Sequence, residues 1–182
     1  QAPDVLLDSL RFDLSPTAIY IKSQENTTFW PLGSNVYSTS SGQRMIRFVL
    51  SDGTAFLDPS TLVLSFNIKN KGADPMLFAG PPVAMSSRIR LLAKGTLIED
   101  ITHCGRLQRI LDLCGPKERY DNEKLLNNWD VPLAGNTARR MLTLLNIFGL
   151  FRKTDTHIPL AWMPLTIGLE LADAEDFLAS NV

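Results

Sequence analysis

The sequence predicts an all-β fold, a sandwich or barrel of antiparallel strands. Three observations predict it. Leu62, Leu64, Phe66 and Ile68 fall on one side of an extended chain, with Val63, Ser65, Asn67 and Lys69 on the other. That period of two marks a strand with one buried face. Comparable patterns recur at residues 88–93 and 165–171. Eleven prolines and eleven glycines interrupt the 182 residues so often that many short strands fit better than βαβ units.

Residues 1–16 read as a short helix or an arm, and 17–22 (TAIYIK) as a first strand rich in β-formers. Residues 27–32 suggest a short strand closed by Pro31, followed by a Ser/Gly-rich connection at 33–42. Residues 43–50 (QRMIRFVL) are strand-like, and Ser51-Asp-Gly53 is a turn signal. Asp58-Pro59 breaks the chain before the strand at 60–69. Residues 71–85 carry Gly72, Pro75, Gly80, Pro81 and Pro82 and leave no room for a helix. The clearest hairpin is 88–93 and 96–101 around a tight Lys94-Gly95 turn.

The period then changes. Cys104, Leu107, Ile110, Leu111 and Cys114 have helical spacing, stopped by Gly115-Pro116. Residues 117–130 are charged and fit a second helix or an ordered loop, and 131–136 form a break. Strands resume at 138–147, with a short extended piece within 157–164 and a clean alternation at 165–171; residues 172–179 fit a short helix or loop.

Composition narrows the function classes. Hydrophobic residues make up 45 % and charged residues 20 %, so a folded core is expected rather than disorder. The net charge of −1, with Lys and Arg scattered, gives no basic stripe for direct nucleic-acid binding. No apolar run approaches the ~20 residues of a transmembrane segment. Two cysteines cannot make a disulfide framework. The chain starts at Gln1 without an initiator Met, so it is read as a processed product or part of something longer.

Taken in order, Gly33-Ser-Asn-Val-Tyr-Ser38, Gly42-Gln-Arg-Met-Ile-Arg-Phe48, Leu57-Asp-Pro-Ser-Thr61, Arg88-Ile-Arg-Leu-Leu-Ala-Lys-Gly-Thr-Leu-Ile-Glu-Asp100 and Pro159-Leu-Ala-Trp-Met-Pro-Leu165 resemble the N-terminal half of double jelly-roll major capsid proteins. Such proteins occur in nucleocytoplasmic large DNA viruses, polinton-like viruses, adintoviruses and virophages. The resemblance covers residues 30–172 and is carried by the order and character of segments. It implies an eight-stranded antiparallel jelly-roll sandwich with a short helical insertion at about residues 102–130. Residues 1–16 would be an N-terminal arm and 17–182 a single jelly roll, the first of two in a longer parent chain. It further implies an icosahedral shell built from pseudo-hexameric trimers, assembled in the host cell and located in the virion. Neighbouring capsomers, vertex proteins and minor capsid proteins would be the partners. In that family, insertions between strands build outer decorations and trimer contacts. A single jelly-roll vertex (penton) protein is an alternative. So is a carbohydrate-binding jelly-roll module, although Trp30, Trp129 and Trp162 all lie beside loops or prolines rather than along one strand face.

No catalytic, cofactor or metal site is assigned from the sequence. His103 and His157 lie far apart with no motif around them, and no nucleophile elbow is present. Cys104 and Cys114 would sit about 15 Å apart along a helix, too far to share one zinc at ~2.3 Å from each sulfur. They read as core-filling thiols. Glu99 and Asp100, neighbours on a strand, point to opposite faces and do not converge. Asp173, Glu175 and Asp176 read as a solvated turn with at most weak cation affinity. Arg44, Arg47, Arg88, Arg90, Arg139 and Arg140 read first as solvated, and in a shell as candidates for inter-subunit ion pairs. Phe29-Trp30-Pro31 and Trp162-Met163-Pro164 are expected to cap the barrel ends, pack between sheets or meet a neighbouring roll.

Overall fold

In a computed structural model, residues 23–39, 42–152 and 157–179 are described. The expected arm at 1–16 and strand at 17–22 lie outside them. The described strands are β1 (Met45–Leu50), β2 (Phe56–Leu57), β3 (Val63–Lys69), β4 (Ser86–Ala93), β5 (Thr96–Thr102), β6 (Ala138–Leu144), β7 (Ile158–Pro159) and β8 (Leu165–Leu171). The helices are α1 (Cys104–Cys114), α2 (Lys117–Asn127) and the one-turn α3 (Ala174–Phe177). The fold is therefore mostly antiparallel β with few helices.

One sheet has the order β1-β8-β4-β5; β2 pairs with β7 and β3 with β6. The last strand lies between the first and the fourth, with Phe48 opposite Ile167 and Leu91 opposite the same residue on the other side. This central position explains why Leu165, Ile167 and Leu169 are all buried. The β4–β5 hairpin closes through Lys94 (φ 49°) and Gly95 (φ 82°). Positive φ at both central residues is the geometry whose twist matches paired strands. Beyond the turn, Leu91 faces Glu99 but Leu92 faces Leu97, so Ile98 is the extra residue of a β-bulge.

Two apolar clusters form the core. The larger joins Leu50, Ile89, Leu91, Leu165, Ile167 and Leu169 of the four-stranded sheet to Phe148, Phe151 and Leu160 of the loops, with Leu57, Leu62 and Leu64 against it. The smaller gathers Ile68, Phe78, Trp129, Leu133 and Met141, with Phe66 packed on it. The alternating face of β3 thus spans both clusters.

Several expectations change in detail. Residues 27–32 form no strand: Pro31 makes only an isolated bridge to Phe48, and Leu32 donates to the Arg47 carbonyl at 2.8 Å. A proline cannot supply the ladder donor at its own position. Before β3, residues Pro59–Thr61 are a 3₁₀ turn, with Asp58 accepting the Ser60 amide. The segment at 138–147 stops as a strand at Leu144, because Leu145, Ile147 and Phe148 all turn into the core and break the alternation. Helix α1 has the expected bounds but not the expected face. Ile110 is exposed and Cys114 lies on the surface, whereas Gln108 is buried with its amide on Asp112 at 2.7 Å.

Candidate functional site

The 102–136 insertion is a pair of helices fixed to the β scaffold by polar contacts. Helix α1 starts at His103, which takes a left-handed backbone (φ 55°) and accepts the amides of Arg106 and Leu107 on its carbonyl. Gly105 lets α1 approach closely, since a β-carbon there would stand 3.3 Å from the Ala84 carbonyl oxygen. Helix α2 lies beside β6. Its last residue, Asn127, is almost fully buried, accepts the Leu142 amide at 2.7 Å and donates to the Glu123 carbonyl at 3.0 Å. One turn earlier, the Glu123 carboxylate accepts from the Thr143 hydroxyl at 3.2 Å. Burial pushes the Glu123 carboxyl up; the Thr143 bond opposes this, and nearby Asp112 adds to it.

Arg139 secures the end of α2. Its guanidinium donates to the carbonyls of Asn128, of Val131 at 2.7 Å and of Pro132 at 3.2 Å. The tight turn it clamps has Asn128 in the left-handed region and its amide on the Lys124 carbonyl. Gly135 is required nearby: a β-carbon there would lie 2.1 Å from the Ala73 carbonyl oxygen. Sequence reasoning missed Glu123, Asn127 and this role of Arg139. The available signal was the Glu123/Asn127 spacing of four, which puts two polar groups on one helix face.

The remaining arginines sort into engaged and free. Arg88 grips Asp100 with Nε–Oδ1 at 2.8 Å and a second, shorter bond. Those hydrogen bonds hold the Asp100 carboxyl below its ordinary value. Arg44 pairs with Asp173 at 2.6 Å, and Arg90 reaches the Met45 sulfur at 3.6 Å. Arg140 bonds Ser65 across the β3–β6 pair at 3.1 Å. Arg47 is exposed. Intramolecular partners therefore engage the side chains of Arg44, Arg88, Arg90, Arg139 and Arg140, and of these six arginines Arg47 alone has no side-chain partner among the described residues.

The carboxylate neighbours diverge. Glu99 accepts the amides of Gly149 and Leu150 at 2.9 and 2.8 Å, while Asp100 faces Arg88. Cys104 is buried with its sulfur on the Ile101 carbonyl, and Cys114 is exposed at the far end of α1. Burial raises the Cys104 thiol to about 11. His103 and His157 are both exposed, one at the start of α1 and the other just before β7. Asp173 is taken by Arg44, and Glu175 and Asp176 lie in the exposed first turn of α3. Among the described residues, no three His, Cys, Asp or Glu side chains gather as a metal site. No described helix is long and apolar enough to cross a membrane.

The tryptophans part company. Trp129 is buried edge-on to Tyr120, with ring centres 5.6 Å apart. Trp30 and Trp162 are each 72 % exposed, while their neighbours Phe29 and Met163 pack on the main core. Neither exposed ring belongs to a strand. On the insertion, Leu113 is 86 % and Leu125 73 % exposed, with Ile110 and Leu126 exposed as well. No protein-family model matches the chain, and no curated protein matches it significantly in sequence.

Proposed function

We propose that this protein is a structural building block of an icosahedral viral capsid, a jelly roll that assembles as pseudo-hexameric trimers. On this reading the roll is the first of two in a longer parent chain. The fold part of the reading is supported by the strand order. Strand β8 returns to lie beside β1, and β4 flanks it on the other side, the interleaving expected of Greek-key connections. The assembly part is carried by one observation: the insertion holds α1 and α2 firmly on the scaffold yet leaves Ile110, Leu113, Leu125 and Leu126 in solvent. Large apolar side chains held out by a well-anchored element fit a surface that another chain covers. The mechanism is geometric, with no turnover and no cofactor. Trp30 and Trp162 extend the exposed apolar surface at two further places.

Negative-stain imaging of the protein from its natural source, with its full reading frame, tests this. Trimers of hexagonal outline are the expected result. Fivefold rings would replace the trimer with a vertex protein. Dispersed monomers would overturn the shell-building role and bring forward a carbohydrate-binding jelly roll.

A further inference from the structure

Where α1 ends and α2 begins, the surface opens into a cleft of about 210 Å³. Its walls include Arg119, Tyr120, Asn146 and Arg152, together with Gln108 and Asp112. The two guanidinium groups come from different parts of the chain, one from α2 and the other from the 3₁₀ turn Leu150–Arg152. The Arg119 guanidinium makes no hydrogen bond or ion pair among the described residues; its backbone amide donates to the Pro116 carbonyl at 3.2 Å, and Glu123, one turn along α2, feels its charge. Arg152 uses only Nε, on the Asn146 carbonyl at 3.2 Å, which leaves its terminal nitrogens uncommitted. The one carboxylate in the walls, Asp112, already has an oxygen engaged by the Gln108 amide at 2.7 Å. The cleft walls thus carry two forked cationic groups, only one of them tied back, and one carboxylate, with Glu123 of α2 outside the walls but within reach of the Arg119 charge.

We infer that this cleft binds a small phosphate-type oxyanion held between Arg119 and Arg152. Planar guanidinium groups bind phosphate oxygens in pairs, with more geometric selectivity than an ammonium provides. Asn146 and Tyr120, which also line the cleft, are residue types whose side chains carry neutral donors. The volume falls below the roughly 300 Å³ at which pockets begin to hold drug-sized ligands. It therefore suits phosphate or pyrophosphate rather than a whole nucleotide. This inference is independent of whether the protein builds a shell.

The test is a nitrogen-15 amide titration of the 182-residue chain with inorganic phosphate, pyrophosphate and acetate at constant ionic strength. Its variants are R119Q, R152Q and the double variant. Both arginines are exposed, so the variants should fold as the parent does. The expected result is saturable shifts confined to residues 108–120 and 146–152, with phosphate or pyrophosphate well ahead of acetate. The double variant should weaken binding at least roughly tenfold, the scale of losing charge-assisted bonds to two guanidinium groups. R47Q, away from the cleft walls, should leave it unchanged. Shifts that never saturate, shifts spread over the surface lysines, acetate binding as tightly as phosphate, or a double variant binding like the parent would each overturn the inference.

Discussion

Asn127 at the end of α2 and Leu142 in the middle of β6 are joined by a 2.7 Å hydrogen bond, in which the strand amide donates to the side-chain oxygen. Among the described residues, strand β6 has β3 on one side only. The Leu142 amide faces away from that partner, and a buried amide without an acceptor is costly. The helix therefore does for this edge what a further strand would do. It also protects part of the edge from pairing with another chain.

Asn127→Ala removes that acceptor from a part-buried amide. The expected loss is about 2 kcal/mol of unfolding free energy, the cost of orphaning one such donor. For a chain of this size that lowers Tm by about 4–8 °C. Urea denaturation measures the loss, and amide hydrogen exchange localises it. Faster exchange at Leu142 with little change at β8 is the expected pattern. Unchanged Leu142 exchange would mean that the bond does not hold α2 on the sheet.

Glu123 sits one turn before Asn127 on the same face, and burial raises its carboxyl above the ordinary value of 4.5. The sign follows from linkage. The folded state holds this proton more tightly than the unfolded state. The stabilisation is therefore fully present below pH 4.5 and is lost as the pH rises through the raised folded value. Glu123→Gln removes that dependence and keeps an oxygen for the Thr143 hydroxyl. The variant should be more stable than the parent at pH 7, with the difference shrinking towards pH 4. Denaturation curves across that range check the slope; a difference that stays constant with pH would assign the effect to packing instead.

These two residues mark the limit of what sequence patterning conveyed. Residues 165–171 alternate cleanly because both neighbours of β8 lie in its own sheet and one face meets the core. The hairpin was legible from Lys94-Gly95, and α1 from its spacing and its Gly115-Pro116 stop. Other features depend on partners far away in sequence. Strands β2 and β7 are two residues each and exist only because Phe56 and Leu57 meet Pro159 and Ile158. The buried face of α1 includes Gln108, which hydropathy assigns to solvent, because its amide is satisfied by Asp112. Arg139 looked like a solvated strand residue. Its carbonyl partners at 128, 131 and 132 come from a turn whose shape local patterning does not define.

The two cysteines should behave as chemical opposites. Cys104 is fully buried, its sulfur lies 3.4 Å from the Ile101 carbonyl, and its thiol is raised to about 11. Cys114 is exposed. The thiolate is the reactive form, so a disulfide reagent at pH 8 should consume one thiol per native chain quickly and the second only after denaturation. Cys114→Ser should abolish the fast equivalent. Two fast equivalents in the parent would mean that the α1 N-terminus opens readily.

Lys94 offers a stabilising change. It is a non-glycine residue at φ 49°, the first central position of the β4–β5 turn. A left-handed backbone costs an ordinary side chain roughly 1–2 kcal/mol, whereas asparagine tolerates it through local hydrogen bonding. The Lys94 side chain makes no hydrogen bond or ion pair among the described residues, while its backbone amide donates to the Pro164 carbonyl at 3.1 Å. Lys94→Asn keeps that amide and should raise stability by about 0.5–1 kcal/mol, or about 1–4 °C in Tm. Lys94→Pro is the contrasting variant: it removes the donor and imposes a φ near −65°, so it should lower Tm sharply. Thermal unfolding of both variants separates the outcomes. If the asparagine variant is less stable than the parent, the Asn-Gly turn chemistry does not govern this hairpin.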